Sequence, residues 1–472
     1  MGCGRSAPNL PLQQKSFTPS AALSRLPTRR SSLLATKLNS ITEKYQIINA
    51  LGSDSMGTLF NATENLSGGL RTIREINKFT ISKGVELFLE FTLLKELDHP
   101  NIVKIIEACE TSKYYYIVME NISGGSLLNK FKKIGHEKVK AKYMLELFTG
   151  LNYLHSTGIV HCNVCTENVL LSTEDEEAIV KIIGFSCAQK EGINKELDLT
   201  ALNQSFISPE ILKGQFSLKS DVWSAGILLY QLLTARVAIN QEGFFSPETK
   251  TNYENIDFTN MGFTILTLPA QDLIKSMLRL DPAQRPSFED LLRHPWLQDV
   301  QEKVQISYNL AKRISCFKIH SHLGRCILSL LSEKLMNSKN SYTLVQYFRS
   351  FDMNNDGKVS RDEILEGFLQ AGIENLAEID LIMENLDYDS SGFIDFSELI
   401  LALTDWKEQL KKKSIRRVFM NQDGKVPIIH LLEQIPEPVT REWQGFLRMY
   451  SQDNQYVLLA DLKKYLKSQI VF

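Results

Sequence analysis

Residues 352–363 read DMNNDGKVSRDE and residues 387–398 read DYDSSGFIDFSE. Each stretch places side-chain oxygens at positions one, three, five, nine and twelve, offers a main-chain carbonyl at seven, and has glycine at six. In the first these are Asp352, Asn354, Asp356, Gly357, Lys358, Ser360 and Glu363; in the second, Asp387, Asp389, Ser391, Gly392, Phe393, Asp395 and Glu398. A hard cation that takes about six to eight oxygens needs such a set converging on one point, with glycine allowing the sharp turn and the last glutamate closing the site with both oxygens. That chemistry is calcium binding, at two sites. A solvated acidic turn would supply charge, but not this offset of glycine and glutamate twice in tandem.

A second group of residues bears on phosphoryl transfer. Residues 159–171, IVHCNVCTENVLL, follow Gly52-x-x-x-x-Gly57, Arg74 and Glu90 with its trailing LDHPNIVK. After them come IIGFS at 182–186, SPE at 208–210, DVWSAG from Asp221, and Arg285 in DPAQRPS. In order and separation these resemble the motifs of eukaryotic protein kinases from about residue 45 to 297. Transfer relies on positioning and electrostatics from a few charged groups, and most of those are exchanged here. Asn163 stands at the catalytic Asp, and loss of a general base costs ~10²–10⁴ in rate. Gly184 stands at the metal-binding Asp, leaving Asn168 as the second ligand, which cannot easily hold magnesium alone.

The nucleotide cradle differs too. Arg74 takes the place of the strand lysine; it could still pair with Glu90, but a planar fork is not a point charge. Asp54 replaces the middle glycine of the phosphate loop, where backbone should approach phosphate. Cys162 and Cys165 replace the loop Arg and Lys, and Ser126 in GGSL stands where relatives carry a Glu that reads basic substrates. Lys78 is read as a solvated lysine rather than a substitute for Lys at Arg74. The ATP and magnesium site of Gly52, Gly57, Arg74, Glu90 and Asn168 is therefore read as degenerate, and Asn163 as non-functional at the catalytic position. Glu210, Asp221, Trp223 and Arg285, which serve architecture, all remain. Cys162-x-x-Cys165 beside His161 and Cys187 lacks the second matched pair of a zinc site and is read as buried small residues.

Elements must hold these residues in place. YQIINALGSDSMGTLFNATEN and LRTIREINK alternate like strands, VELFLEFTLLKELDHPNIVKI has helical spacing, and residues 139–296 are mostly helical in period. The expected fold is an α+β bilobal protein-kinase fold over 44–297, followed by an all-α calmodulin-like EF-hand domain over 341–472. Between them, at 298–340, Ile314, Phe317, Leu323, Ile327, Leu330, Leu331 and Leu335 recur at helical steps beside Lys312, Arg313, Lys318 and Arg325, as in a calmodulin-target helix. Two more hands are implied by spacing. FMNQDGKVPIIH keeps Gly424 but opens on Phe419 and closes on His430, while YSQDNQYVLLAD has Tyr450 and Gln455 at the first ligand and the glycine. These are expected to bind calcium poorly and to persist as a structural lobe that grips a helix.

The arrangement resembles the calcium-dependent protein kinases of plants and protists along nearly the whole chain. The resemblance implies a junction helix that blocks the kinase domain at rest and is seized by the hands when calcium binds. Composition agrees with a multidomain globular chain: 472 residues, 43% hydrophobic, are enough for two or three cores, and a net charge of −2 gives no argument for a nucleic-acid partner. Seven cysteines without a secretory leader fit a reducing compartment. Residues 1–43 are basic and rich in Ser and Pro, and are expected to be a flexible arm. The arm opens with the Met-Gly-x-x-x-Ser pattern of N-myristoylation at Gly2, with Cys3 placed for palmitoylation. The expectation is a calcium sensor at the cytoplasmic face of a membrane, its pseudokinase domain a switched scaffold for protein partners. The alternatives left open are an active calcium-regulated Ser/Thr kinase of atypical mechanism and a calcium buffer.

Overall fold

A computed structural model describes residues 36–54, 57–65, 68–79, 91–192, 199, 202–239, 256–301, 304–335, 341–373, 379–411, 424–428, 440–451 and 455–471. Gly2, Cys3, Glu90, Phe419 and His430 lie outside them.

The small lobe is one six-stranded sheet of β1 (Thr36–Lys37), β2 (Tyr45–Asp54), β3 (Gly57–Glu64), β4 (Leu70–Asn77), β5 (Ile105–Glu110) and β6 (Tyr114–Met119), in the order β1-β5-β6-β4-β3-β2. Alternation along β4 decides which side chain faces the cleft. Ile73 packs with Tyr45, Ala62, Tyr116 and Val118 on the outer face, while Ile76 joins the main core on the other; Arg74, two residues from Ile76, shares that inner face and is buried. The end of the arm expected to be flexible is built into this lobe. β1 pairs in parallel with Cys109 and Glu110, Ser40 caps the short turn Ile41–Glu43, and Ile41 is buried.

The large lobe is helical. Helix Leu218–Thr234 is apolar on nearly every side and buried accordingly, and helix Glu137–Ser156 packs beside it. No helix among the described residues is long and apolar enough to cross a membrane.

The hands follow as helices Ser341–Phe351, Arg361–Gln370, Ile379–Leu386 and Phe396–Leu403. Positions nine and twelve of each calcium loop double as a capping box. Ser360 with Glu363, and Asp395 with Glu398, cap the helix that leaves the loop. The residues that close on a cation therefore also start the helix. Val359 and Ile394, both buried, exchange two main-chain hydrogen bonds of 2.9 and 2.8 Å that pair the loops. Later in the chain, where two more hands are expected, Lys425–Pro427 pairs antiparallel with Tyr456–Leu458.

The junction is two helices, Tyr308–Cys316 and His322–Leu335, rather than one continuous segment. The strand Lys318–Ile319 between them pairs with Ile470–Val471 near the chain end. Their apolar faces are buried among the hands: Leu310, Ile314, Phe317, Leu323, Ile327 and Leu331 share one core with Phe348, Phe396, Trp443 and Leu462.

Candidate functional site

The two calcium loops have the local geometry that their sequence dictates. Asp352 at position one accepts from the main-chain N–H of Asp356 (3.1 Å) and Gly357 (3.0 Å), and Asp387 does the same for Ser391 (2.9 Å) and Gly392 (2.8 Å). Gly357 and Gly392 have φ of 79° and 86°, a region glycine enters without strain. Ligand oxygens of Asp387, Asp389 and Glu398 lie within 4.8 Å of one another, a span a single cation can bridge. Asp352 is 1% exposed; burial, then the carboxylates of Asp356 and Glu363, push its carboxyl well above the ordinary range. Acidic oxygens gathered in this way fit a divalent cation.

The transfer cleft has the catalytic loop's shape with different occupants. Asp221, fully buried, accepts from the main-chain N–H groups of His161 (2.8 Å) and Cys162 (2.9 Å), and from His155 at 3.0 Å. His161 in turn reaches the Ile183 carbonyl (3.0 Å) and packs edge-on against Phe185. Asn168 donates to the main-chain oxygen of Asn163 (2.9 Å). Gly184 sits at φ 80°, and any Cβ there would overlap the Asn168 side-chain amide, with Nδ2 2.7 Å away. Asn168 has thus closed over the space beside position 184, and a carboxylate does not fit there unless Asn168 moves. The half-buried Asn163 directs Oδ1 toward the main-chain N–H of Asn203 (3.5 Å). Position 184 thus offers no carboxylate beside Asn168.

The remaining expectations fall as follows. Lys78, just past the end of β4, is half-buried, paired with Glu110 (3.1 Å) and lying over the Tyr115 ring. Ser126 caps helix Leu127–Phe131 by accepting from the Asn129 N–H. Burial pushes the Cys162 and Cys165 thiols well above their ordinary value, which disfavours metal-binding thiolate. Gly57 packs against the Glu75 carbonyl so tightly that no Cβ fits, whereas Gly52 has open space around it. Glu210 and Arg285 form a buried pair at 2.6 and 2.9 Å, with the guanidinium 4.9 Å over Trp223.

One contact surface escaped the sequence. The first calcium loop is seated on the large lobe: Asn152 donates to the Asn355 carbonyl (2.7 Å), Ser156 to that of Asp356 (3.4 Å), and Gly357 lies against Tyr153 and His99. Arg349, just before the loop, pairs with Glu146 (3.1 Å) and donates to Asn101 (3.1 Å). Ser397 binds Asp98 through both hydroxyl and main-chain N–H. The segment LDHPNIVK thus does more than mark Glu90, but partners about 250 residues apart have no local signature.

A small antiparallel lobe on a helical lobe, with the catalytic loop anchored by a buried aspartate and two calcium loops behind it, defines a kinase-fold protein carrying EF-hands. The protein kinase domain family matches residues 45–297, and an EF-hand domain pair matches 342–404. The chain belongs to the protein kinase domain family and is homologous to the calcium-dependent protein kinases. It is 28% identical over 408 residues to calcium-dependent protein kinase 4 of Plasmodium berghei (strain Anka), covering 81% of this chain and 77% of the relative. The protein of the same name from Plasmodium falciparum (isolate 3D7) is 27% identical over 442 residues, covering 87% and 84%. Calcium-dependent protein kinase 22 of Arabidopsis thaliana is 29% identical over 395 residues, covering 79% and 78%.

Proposed function

We propose that this protein is a calcium sensor whose kinase-like domain, residues 44–297, is a pseudokinase that works as a calcium-switched binding scaffold. The observation that carries the reading is the contrast between two sites. Both loops of the first hand pair keep every calcium ligand, while Gly184 is overlaid by Asn168 and Asn163 replaces the base. Asp352, Asn354, Asp356, Lys358, Ser360 and Glu363 hold one calcium; Asp387, Asp389, Ser391, Phe393, Asp395 and Glu398 hold the other. Residues 298–340 are the switched element, and the hands occupy 341–472. Their burial among the hands supports this: Leu323 N–H donates to Glu442 (2.8 Å), and Ser321 meets the Tyr465 hydroxyl (3.0 Å). Acylation at Gly2 and Cys3 brings the chain to a membrane, two chains anchoring where one holds only marginally.

Hydrogen exchange of the full chain in calcium and in chelator tests the switch. Exchange across residues 304–335 is expected to slow on calcium binding, because the hands that bury this segment are then ordered. A calcium buffer would leave it unchanged.

A further inference from the structure

Both loops touch the kinase domain, loop one through Asn355 and loop two through Ser397, but they differ in a second neighbour. Loop two meets the junction helix through Tyr388, its second residue, which is not a calcium ligand. The Tyr388 hydroxyl is 2.8 Å from His322 Nδ1, and its ring lies 4.1 Å beneath the Arg325 guanidinium. On the main-chain side, the Tyr388 N–H donates to Glu398 Oε1 at 2.8 Å, and Glu398 is the residue that closes the second site. Loop one repeats that N–H contact through Met353 and Glu363 (2.9 Å), but Met353 makes none of the aromatic contacts. A cleft lined by Phe317, Ile319, Arg325, Leu386, Tyr388 and Glu398 runs between helix and loop.

We infer that Tyr388 is a positioning residue for the second calcium site, held by His322 and Arg325 of the junction helix so that its main-chain N–H aims Glu398 at the ion. This deepens the calcium-sensor reading and rests on it for the identity of the site. The chemistry is second-contact orientation: a ring clamped between an imidazole and a guanidinium cannot swing, so the peptide that bears the N–H cannot turn. Partners that orient a ligand in this way are worth roughly 10–100-fold in metal affinity. By linkage, calcium at loop two favours the seated helix by the same factor as the helix favours calcium.

Arg325 makes the test sharp because two effects have opposite signs. Removing a cation near an acidic site should by Coulomb's law tighten calcium; removing a clamp should weaken it. The full chain carrying Glu363→Gln, which silences loop one, is titrated with calcium by calorimetry, and Arg325→Gln and Tyr388→Ala are added in turn. Calcium binding is expected to weaken roughly 10-fold in each, and Tyr388→Phe, which keeps the ring under Arg325, should recover most of the loss. Arg325→Gln leaves the loop sequence untouched, so a folding defect in Tyr388→Ala does not spoil the result. Unchanged or tighter binding in Arg325→Gln overturns the inference. The sensor reading fails separately, on unchanged exchange of 304–335 in the unmodified chain.

Discussion

Glu363→Gln with Glu398→Gln is expected to abolish calcium binding in the sensor range and leave residues 304–335 exchanging in calcium as they do in chelator. Each glutamate supplies two of the oxygens and one of the negative charges that close its loop, and affinity follows ligand charge and count. A site in the ~10⁻⁷–10⁻⁵ M range is expected to fall by roughly 100-fold or more. The amide is close in shape to the carboxylate, so the capping box keeps an acceptor, and Ser360 and Asp395 still cap their helices. Loss of calcium binding with helix content intact is the expected signature. Calorimetry gives the first and circular dichroism the second. Micromolar binding that survives in the double variant would place the calcium elsewhere.

Arg285→Ala is expected to destabilise the large lobe by about 3–5 kcal/mol, because it leaves Glu210 as an unpaired buried carboxylate. The guanidinium also donates to the carbonyls of Arg279 (2.7 Å), Lys219 (2.9 Å) and Leu280 (3.2 Å), all of which lose a partner at once. Replacing both members, Arg285→Leu with Glu210→Leu, should be less harmful per residue removed, since no charge is stranded. The pair also sets a pH dependence. Burial raises the Glu210 pKa, but the hydrogen bonds and charge of Arg285 outweigh it and hold the carboxyl below its ordinary value of 4.5. A depressed carboxylate pKa stabilises the fold above the unfolded value, and that contribution is lost as pH falls through the lower folded value. Urea unfolding followed at pH 7 and below pH 4 checks both statements; a loss under about 1 kcal/mol for Arg285→Ala would show the pair to be dispensable.

What could be read from the sequence was local. An EF-hand loop states its pattern within twelve consecutive residues, and some of the same residues cap the next helix, so the hand pair was legible without a fold. The kinase motifs were legible because their order survives even where the residues do not. What was not legible depends on groups that meet only after folding. Nothing in IVHCNVCTENVLL says that Asn168 overlies position 184, because that contact joins two loops. Likewise Arg349 with Glu146, Asn152 with Asn355, and Tyr388 with His322 and Arg325 join residues far apart in the chain. The strand Thr36–Lys37 was read as part of a flexible arm because its neighbours in sequence are polar and basic; its partner, Cys109–Glu110, supplies what composition could not.

The junction carries a similar lesson. Its apolar steps were legible, but not its division at Lys318–Ile319, which is set by the strand Ile470–Val471 far along the chain. The strand pair Lys425–Pro427 with Tyr456–Leu458 forms where the sequence departs from the calcium pattern, because such pairing needs main chain and apolar side chains, not charge.

In the proposed function, calcium sensing persists in this chain while phosphoryl transfer does not. The most direct measurement is incorporation of radiolabelled phosphate from ATP and magnesium by the pure full-length protein in saturating calcium, alone and with a basic Ser/Thr peptide. The account predicts no incorporation above a protein-free blank, and none gained by Gly184→Asp alone, since Asn168 stands against that position and Asn163 is still not a base. Calcium-stimulated incorporation that disappears on changing Asn168 or Arg74 would contradict it and make this protein an active kinase of unusual mechanism.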